Sequence, residues 1–304
     1  MNQKASQEEL IEKINEMKKA KGAIILCHNY QRPEIYEVAD FIGDSLDLAL
    51  RAKEAKAKVI VFCGVDFMAE SAKILNPSRK VLHPDTEAKC PMAAMVTAEA
   101  LARKKKDFPN AGVVAYINTS ARTKAESDVC CTSANFEKAA ESLANPEIIF
   151  LPDYNMGKYL QTKTKKKIIP WHGFCYVHDF IAPGDVKKLK KEHPKAEVLV
   201  HPESPPDVIK LADRVLGTGG MIKYAKASKA NEFIVATEEG MCNRLRREIP
   251  GKAFYPAGGV CQNMKMITLE KVYECLKSER NEVKVPEEVA RRARKALDRM
   301  LELK

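Results

Sequence analysis

The sequence predicts an α/β protein built from three similar αβα subdomains, each with a small parallel sheet, arranged around a pseudo-threefold axis. Two observations lead there. Short apolar, β-branched runs alternate with helical patterns along the chain, which argues for parallel strands covered by helices on both faces. The same runs recur at a near-constant interval, which argues for one unit used three times.

The runs are AIIL (23–26), VIVF (59–62), VL (81–82), GVVAYI (112–117), EIIFL (147–151), KIIPW (167–171), EVLV (197–200), EFIVA (232–236) and KAFYP (252–256). They form three sets of three. The second strand of each set starts at Lys58, Glu147 and Glu232, with intervals of 89 and 85 residues. The third starts at Lys80, Lys167 and Lys252, with intervals of 87 and 85. Between first and second strands lies a shared segment: ADFIGDSLDLALRA from Ala39, SDVCCTSANFEKAA from Ser127 and ADRVLGTGGMIKYA from Ala212. Each holds an aspartate and, five residues on, a hydroxyl: Asp40 and Ser45, Asp128 and Ser133, Asp213 and Thr218. The hydroxyl stands where a helix N-cap is expected. The repeat divides the chain into residues 1–90 joined by C-terminal helices at about 268–304, residues 91–176, and residues 177–267.

A chain of 304 residues with 45% hydrophobic and 30% charged content has the composition of a globular protein. No apolar run is long enough to span a bilayer. The N-terminal stretch MNQKASQEELIEKINEMKKAKG lacks an apolar signal region and reads as an amphipathic helix. A capping box from Ser6 to Glu9 and a stripe of Leu10, Ile14 and Met17 are expected in it. These features predict a cytoplasmic protein with no membrane partner. The net charge of +10 raises nucleic acid as a partner. The basic runs Arg103–Lys106, Lys163–Lys167, Lys187–Lys191 and Arg291–Lys295 fall where helices end or present solvated faces, so no nucleic-acid site is expected.

Nine scattered cysteines in a chain without a secretion signal favour metal binding, catalysis or burial over a disulfide framework. One cysteine follows the third strand of each set: Cys90 in HPDTEAKCPM, Cys175 in PWHGFCYVH and Cys261 in YPAGGVCQNM. They are 85 and 86 residues apart, so a threefold assembly brings three thiolates to one point. Three cysteines can hold a [4Fe–4S] cube and leave its fourth iron open as a Lewis acid. Zinc with three cysteines and a water is the competing centre, and three buried structural thiols are the non-functional reading.

The first strands lead into His28-Asn29-Tyr30, Tyr116-Ile117-Asn118 and His201-Pro202-Glu203. Histidine, tyrosine and carboxylate together suit proton transfers beside a carbonyl carbon. His178, three residues past Cys175, is a further candidate; His83 and His193 read as ordinary loop or surface histidines, and His172 is open. As helix caps, Ser45, Ser133 and Thr218 would aim three N-termini at the axis and favour a multiply anionic substrate. GTGGMIKY (217–224) has neither common phosphate-loop spacing, and neither a dinucleotide fingerprint nor a C-x-x-x-C-x-x-C motif is present.

HNYQRPEIYEVADFIGDSLDLA, YINTSARTKAESDVCCTSAN, HPES, GTGGMIKY and CQNMKMITLEKVYECL resemble the motifs of quinolinate synthases, iron–sulfur enzymes of de novo NAD biosynthesis, and the match covers nearly the whole chain. The resemblance implies a [4Fe–4S] cluster on Cys90, Cys175 and Cys261. It implies condensation of iminoaspartate with dihydroxyacetone phosphate to quinolinate, phosphate and water, with iminoaspartate supplied by a functional partner. His28 and Tyr30 match the family's substrate-handling pair, Ser45, Ser133 and Thr218 its anion binders, and Tyr116 with Asn118 its carboxylate site. His201 and Glu203 match the acid–base pair, with Glu203 the general base, and His178 follows the second ligand. An aconitase-type dehydratase, which also uses a three-cysteine cluster, is the alternative enzyme. A basic nucleic-acid-binding or iron-sensing protein is the alternative outside catalysis.

Overall fold

The computed structural model describes residues 3–303. Among them the chain forms twelve strands in three four-stranded sheets, parallel throughout. The first sheet holds β1 (Ala23–His28), β2 (Phe41–Gly43), β3 (Val59–Cys63) and β4 (Lys80–Leu82). The second holds β5 (Gly112–Tyr116), β6 (Val129–Cys131), β7 (Glu147–Leu151) and β8 (Lys167–Pro170). The third holds β9 (Glu197–Val200), β10 (Arg214–Val215), β11 (Glu232–Ala236) and β12 (Ala253–Pro256). The orders are β2-β1-β3-β4, β6-β5-β7-β8 and β10-β9-β11-β12, so the same topology is used three times. Central strands such as β3 and β5 are buried along their whole length. That is why they read as continuous Val/Ile runs and not as alternating ones.

The sequence pattern yields nine strands; β2, β6 and β10 are additional. They are two or three residues long and lie inside the aspartate–hydroxyl segments, too short to show a period of two. The repeated aspartates fasten them. Asp40 Oδ2 accepts the Ile25 N–H at 2.7 Å, Asp128 Oδ2 that of Val113 at 2.7 Å, and Asp213 Oδ2 that of Val198 at 2.8 Å. The aspartate N–H returns a bond to the same residue's carbonyl at 2.9, 3.0 and 2.9 Å. Each edge strand is thereby locked beside the first strand of its sheet.

The Gln3–Ala20 helix runs through Ser6, so the expected capping box at Ser6 is not its start; Gln3, Lys4 and Ala5 are good helix formers and extend it. Its stripe does face inward: Ile14 is buried, with Leu10 and Met17 against the same cluster. The Leu269–Ser278 helix packs on this N-terminal helix and on β3, within the first unit. The Glu287–Glu302 helix instead lies mainly on the Ala121–Ala125 helix and β6 of the second unit. It buries Ala293, Ala296, Leu297, Met300 and Leu301, and Asn135 Nδ2 holds its last turn through the Met300 carbonyl at 3.1 Å.

The basic runs make internal contacts. Lys105 Nζ donates to the Glu126 carbonyl at 3.1 Å, Lys167 pairs with Glu147 at 2.7 Å, and Arg292 pairs with Glu126 at 2.7 Å. Among the described residues, no helix is long and apolar enough to cross a membrane.

Candidate active site

Strand order in each sheet reverses between the first strand and the third, and in such sheets ligands bind beyond the carboxyl ends at that switch point. The fastened residues Ile25, Val113 and Val198 give a common count along the three units. Three residues on stand His28, Tyr116 and His201; five on, Tyr30, Asn118 and Glu203; twenty on, Ser45, Ser133 and Thr218. All nine line a single cavity with Cys90, Cys175, Cys261 and His178.

Two equivalent histidines are held alike. His28 Nδ1 accepts the Tyr30 N–H at 3.2 Å, and His201 Nδ1 accepts the Glu203 N–H at 3.4 Å. In each neutral ring the proton therefore sits on Nε2. Burial depresses both rings to about 3, helped at His28 by the Lys265 charge and at His201 by His178, so both are neutral near pH 7.

His178 stacks on His201 with centroids 4.5 Å apart. Its Nδ1 lies 2.6 Å from Glu203 Oε2 and 3.2 Å from Cys175 Sγ. Its Nε2 lies 2.7 Å from Thr237 Oγ1, which in turn is 2.6 Å from the Tyr30 hydroxyl. One assignment of hydrogens satisfies every link: Tyr30 donates to Thr237, Thr237 to His178 Nε2, and His178 Nδ1–H to the Glu203 carboxylate. Burial alone pushes the Glu203 carboxyl up, but His178 and then His201 outweigh it and hold it below the usual range. Burial, then Glu203, pushes the Tyr30 and Tyr116 phenols well above their usual range, so both stay protonated donors. Two buried acceptors in the cavity, Glu203 Oε1 and Asn118 Oδ1, have no protein partner.

Of the nine free cysteines, Cys90, Cys175 and Cys261 are the three that are not fully buried. Each is the N-cap of a one-turn helix, at Pro91–Ala94, Tyr176–Asp179 and Gln262–Lys265, with nearly identical backbone angles (φ/ψ −86/113°, −86/113° and −80/95°). Burial pushes all three thiols up, while the N–H groups of Ala93, His178 and Met264, three residues on, pull the other way. Such thiols ionise readily only against positive charge, which a metal centre supplies.

The hydroxyls are not the caps expected of them. Asp44 caps the Ser45–Glu54 helix, its Oδ1 accepting the Leu46 and Asp47 N–H groups at 2.9 Å each. Gly217 caps the Thr218–Ala227 helix, and Asn135 caps Phe136–Glu141, two residues past Ser133. Helix N-termini therefore reach the cavity at Ser45 and Thr218, while Ser133 lies in a turn. Released from capping, the hydroxyls line the cavity. The GTGG glycines serve close packing: a Cβ on Gly217 would fall 2.4 Å from Ser133 Oγ, and one on Gly219 2.4 Å from Asp44 Oδ2.

His83 lies in the loop after β4, as expected, but is buried there, with Nε2 2.9 Å from the Gly64 carbonyl. His193 stacks on Tyr255, and His172 is exposed against Tyr154.

A family model for quinolinate synthetase A protein matches residues 12–302. The chain belongs to the quinolinate synthase family. Quinolinate synthase of Methanoregula boonei is 51% identical over 296 residues, spanning 97% of this chain and 98% of that protein. Quinolinate synthase of Dehalococcoides mccartyi (strain ATCC BAA-2266) is 51% identical, spanning 96% and 97%, and that of Methanosarcina barkeri 50% identical, spanning 98% and 99%.

Several residues that support this cavity escape sequence reasoning. Thr237 links Tyr30 to His178, and Asn29 Nδ2 reaches Thr218 Oγ1 at 3.0 Å. Lys265 Nζ lies 2.9 Å from Glu238 Oε1 and donates to the Tyr30 carbonyl at 2.6 Å. Asp66, Asp153 and Glu238 stand two or three residues past β3, β7 and β11. Counting beyond the second strand of each repeat would have found those three acids.

Proposed function

We propose that this chain makes quinolinate from iminoaspartate and dihydroxyacetone phosphate, releasing phosphate and water, with a [4Fe–4S] cluster held by Cys90, Cys175 and Cys261. The observation that carries the reading is the convergence, from three units, of the three half-buried cysteines and the nine equivalent strand-end and hydroxyl residues on one cavity.

The donor set fits a cube better than a single ion. Three thiolates on one zinc sit about 3.8 Å apart, given Zn–S bonds of about 2.3 Å. The donor atoms found within 4.8 Å of one another are those of Cys175, His178 and Glu203, not the three sulfurs. Within that group His178 Nδ1 and Glu203 Oε2 are 2.6 Å apart, a shared proton rather than two ligands of one metal. When bound, a cluster with three protein thiolates offers one iron as a Lewis acid toward an oxygen or nitrogen of the substrate.

The chain's own groups handle charge and protons. The hydroxyls of Ser45, Ser133 and Thr218, with the N–H groups opening the Thr218–Ala227 helix, take carboxylate or phosphate. The Tyr116 phenol donates to a substrate carboxylate. The unmatched acceptors Glu203 Oε1 and Asn118 Oδ1 call for donors, which an imine N–H and a hydroxyl provide. Glu203, ionised beside His178, is the base that removes a proton beside a carbonyl. The Nε2–H of His28 and His201, and the Tyr30 O–H when it turns from Thr237 to the substrate, are the donors to departing or enolising oxygens. Tyr30 and Glu203 are the ends of one hydrogen-bonded chain through Thr237 and His178, so the ionisation of Glu203 and the orientation of the Tyr30 O–H are coupled.

Nine free cysteines suit a reducing compartment, and we place the enzyme in the cytoplasm, with an aspartate-oxidising or aspartate-dehydrogenating partner to supply the unstable imine. The test is anaerobic purification followed by incubation with freshly generated iminoaspartate and dihydroxyacetone phosphate. A brown protein that forms quinolinate is expected. A brown protein that makes none but dehydrates a hydroxy acid would favour an aconitase-type dehydratase.

A further inference from the structure

Each of the three cysteines that line the cavity donates its backbone N–H to a carboxylate from the loop after β3, β7 or β11 of its own sheet. Cys90 N–H reaches Asp66 Oδ1 at 3.0 Å, Cys175 N–H reaches Asp153 Oδ2 at 3.2 Å, and Cys261 N–H reaches Glu238 Oε1 at 3.1 Å. A second bond ties the same two loops in each unit. The carbonyl two residues before the cysteine accepts an N–H beside or on the acid: Asp66 N–H to Ala88 at 3.0 Å, Tyr154 N–H to Gly173 at 2.8 Å, Glu239 N–H to Gly259 at 3.1 Å.

The acids are themselves held fast. Asp66 Oδ1 also accepts the Phe67 N–H at 2.9 Å, and Asp153 Oδ1 accepts the Met156 N–H at 2.7 Å. Glu238 Oε2 accepts the Gly240 N–H at 2.7 Å, and its Oε1 meets Lys265 Nζ at 2.9 Å. Asp153 and Glu238 are wholly buried. Buried carboxylates are rare and are kept where they satisfy specific donors. Here two of them and the half-buried Asp66, with different side-chain lengths, do the same thing at equivalent places. The longer glutamate serves the loop that carries the double glycine.

Resting on the cluster reading above, we propose that Asp66, Asp153 and Glu238 are positioning residues for the three iron ligands. By fixing the backbone of each cysteine, they hold the three sulfurs on the corners of the site, so that ligand exchange needs a whole loop to move. Groups that orient metal ligands in this way change metal retention by about 10- to 100-fold when removed.

The test uses anaerobically purified holoprotein. Asp66→Ala and Asp66→Asn are compared with wild type for iron and sulfide per chain and for the rate at which a chelator bleaches the cluster. Urea unfolding of the chelator-stripped proteins reports any purely structural loss. Asp66→Ala is expected to bleach about 10- to 100-fold faster, with Asp66→Asn, which keeps an acceptor oxygen, close to wild type. Should one alanine variant fail to fold, the same pair at Asp153, or Glu238→Ala against Glu238→Gln, carries the test, because the three positions are equivalent. Folded alanine variants that bleach at the wild-type rate overturn the inference, as do asparagine variants no better than alanine. A wild type that binds no cluster overturns the cluster reading as well. Cysteine variants that lose the cluster beside acid variants that keep it overturn this inference alone.

Discussion

Tyr30 and Thr237 meet hydroxyl to hydroxyl at 2.6 Å, joining the first unit to the third. Thr237 also lies 2.7 Å from His178 Nε2, which brings in the one-turn helix that Cys175 opens. One fully buried threonine thus couples a phenol, an imidazole and, through that ring, the Glu203 carboxylate. A β-branched residue with few rotamers suits that post.

Replacing Thr237 by valine keeps the shape and removes the link. The His178 nitrogen and the Tyr30 hydroxyl then lose a buried partner, at about 1–3 kcal/mol each where no other is found. Turnover should fall by roughly 100-fold, the low end for positioned proton transfer, with KM little changed. Thr237→Ser should restore most of it. Steady-state rates of quinolinate formation across pH check this, and a valine variant with wild-type turnover would remove the chain of bonds from the mechanism.

Cysteine substitutions separate ligands from core thiols. Cys90→Ala, Cys175→Ala and Cys261→Ala should each bring iron from about four per chain to near none after anaerobic purification. Cys275→Ala, in the apolar cluster under the N-terminal helix, should leave it unchanged. Iron and sulfide analysis decides the matter.

The double glycine before Cys261 divides into one demanding position and one tolerant one. A Cβ on Gly258 would sit 1.7 Å from the Thr237 carbonyl oxygen, whereas on Gly259 nothing comes nearer than 3.9 Å. Gly258→Ala must therefore push the ligand loop off the Thr237–Glu238 segment, costing at least about 1–3 kcal/mol and much of the iron. Gly259→Ala should be close to neutral. Melting curves and iron content of the two variants make the comparison.

Acid should destabilise the fold through its buried histidines. His28 and His201 are depressed to about 3, mainly by burial, from an ordinary value of 6.5. As pH falls below about 6.5 the unfolded chain takes up these protons and the folded chain does not, so stability drops between pH 6.5 and 3. Asp44 works in the opposite sense. Burial, with the Asp47 charge, raises it from 3.8 to about 6, so the folded chain holds its proton longer and stability falls as pH rises from about 4 to 6. Asn caps a helix as well as Asp does. Asp44→Asn should therefore raise stability at pH 7, by up to about 2–3 kcal/mol, while steepening the net loss on acidification. Denaturant unfolding under argon from pH 8 to 4.5 measures both slopes, and an unchanged profile in Asp44→Asn would refute the assignment.

Much of the site could be read in advance because the repeat exposes it. Cys90, Cys175 and Cys261 share an interval no other cysteines share, and His28, Tyr116 and His201 stand at or just past the ends of strands that begin in step. The three hydroxyls were found by the same interval, yet their role as caps was misassigned. Asp44 precedes Ser45 and caps better in that geometry, and Gly217 is present because Ser133 Oγ leaves no room for a side chain. The edge strands went unseen, since two or three residues carry no periodicity.

The linear order of residues determined the trebled α/β plan, the ligand candidates and the family, because those depend on local pattern and on spacing along the chain. Which acid receives a cysteine's N–H, which hydroxyl joins Tyr30 to His178, and which nitrogen of His178 meets Glu203 were decided only when three sheets packed together. Those pairings join residues as many as 207 positions apart through single hydrogen bonds. Hydrogen bonds act over about 3 Å, and no periodicity of apolar residues encodes a contact of that range.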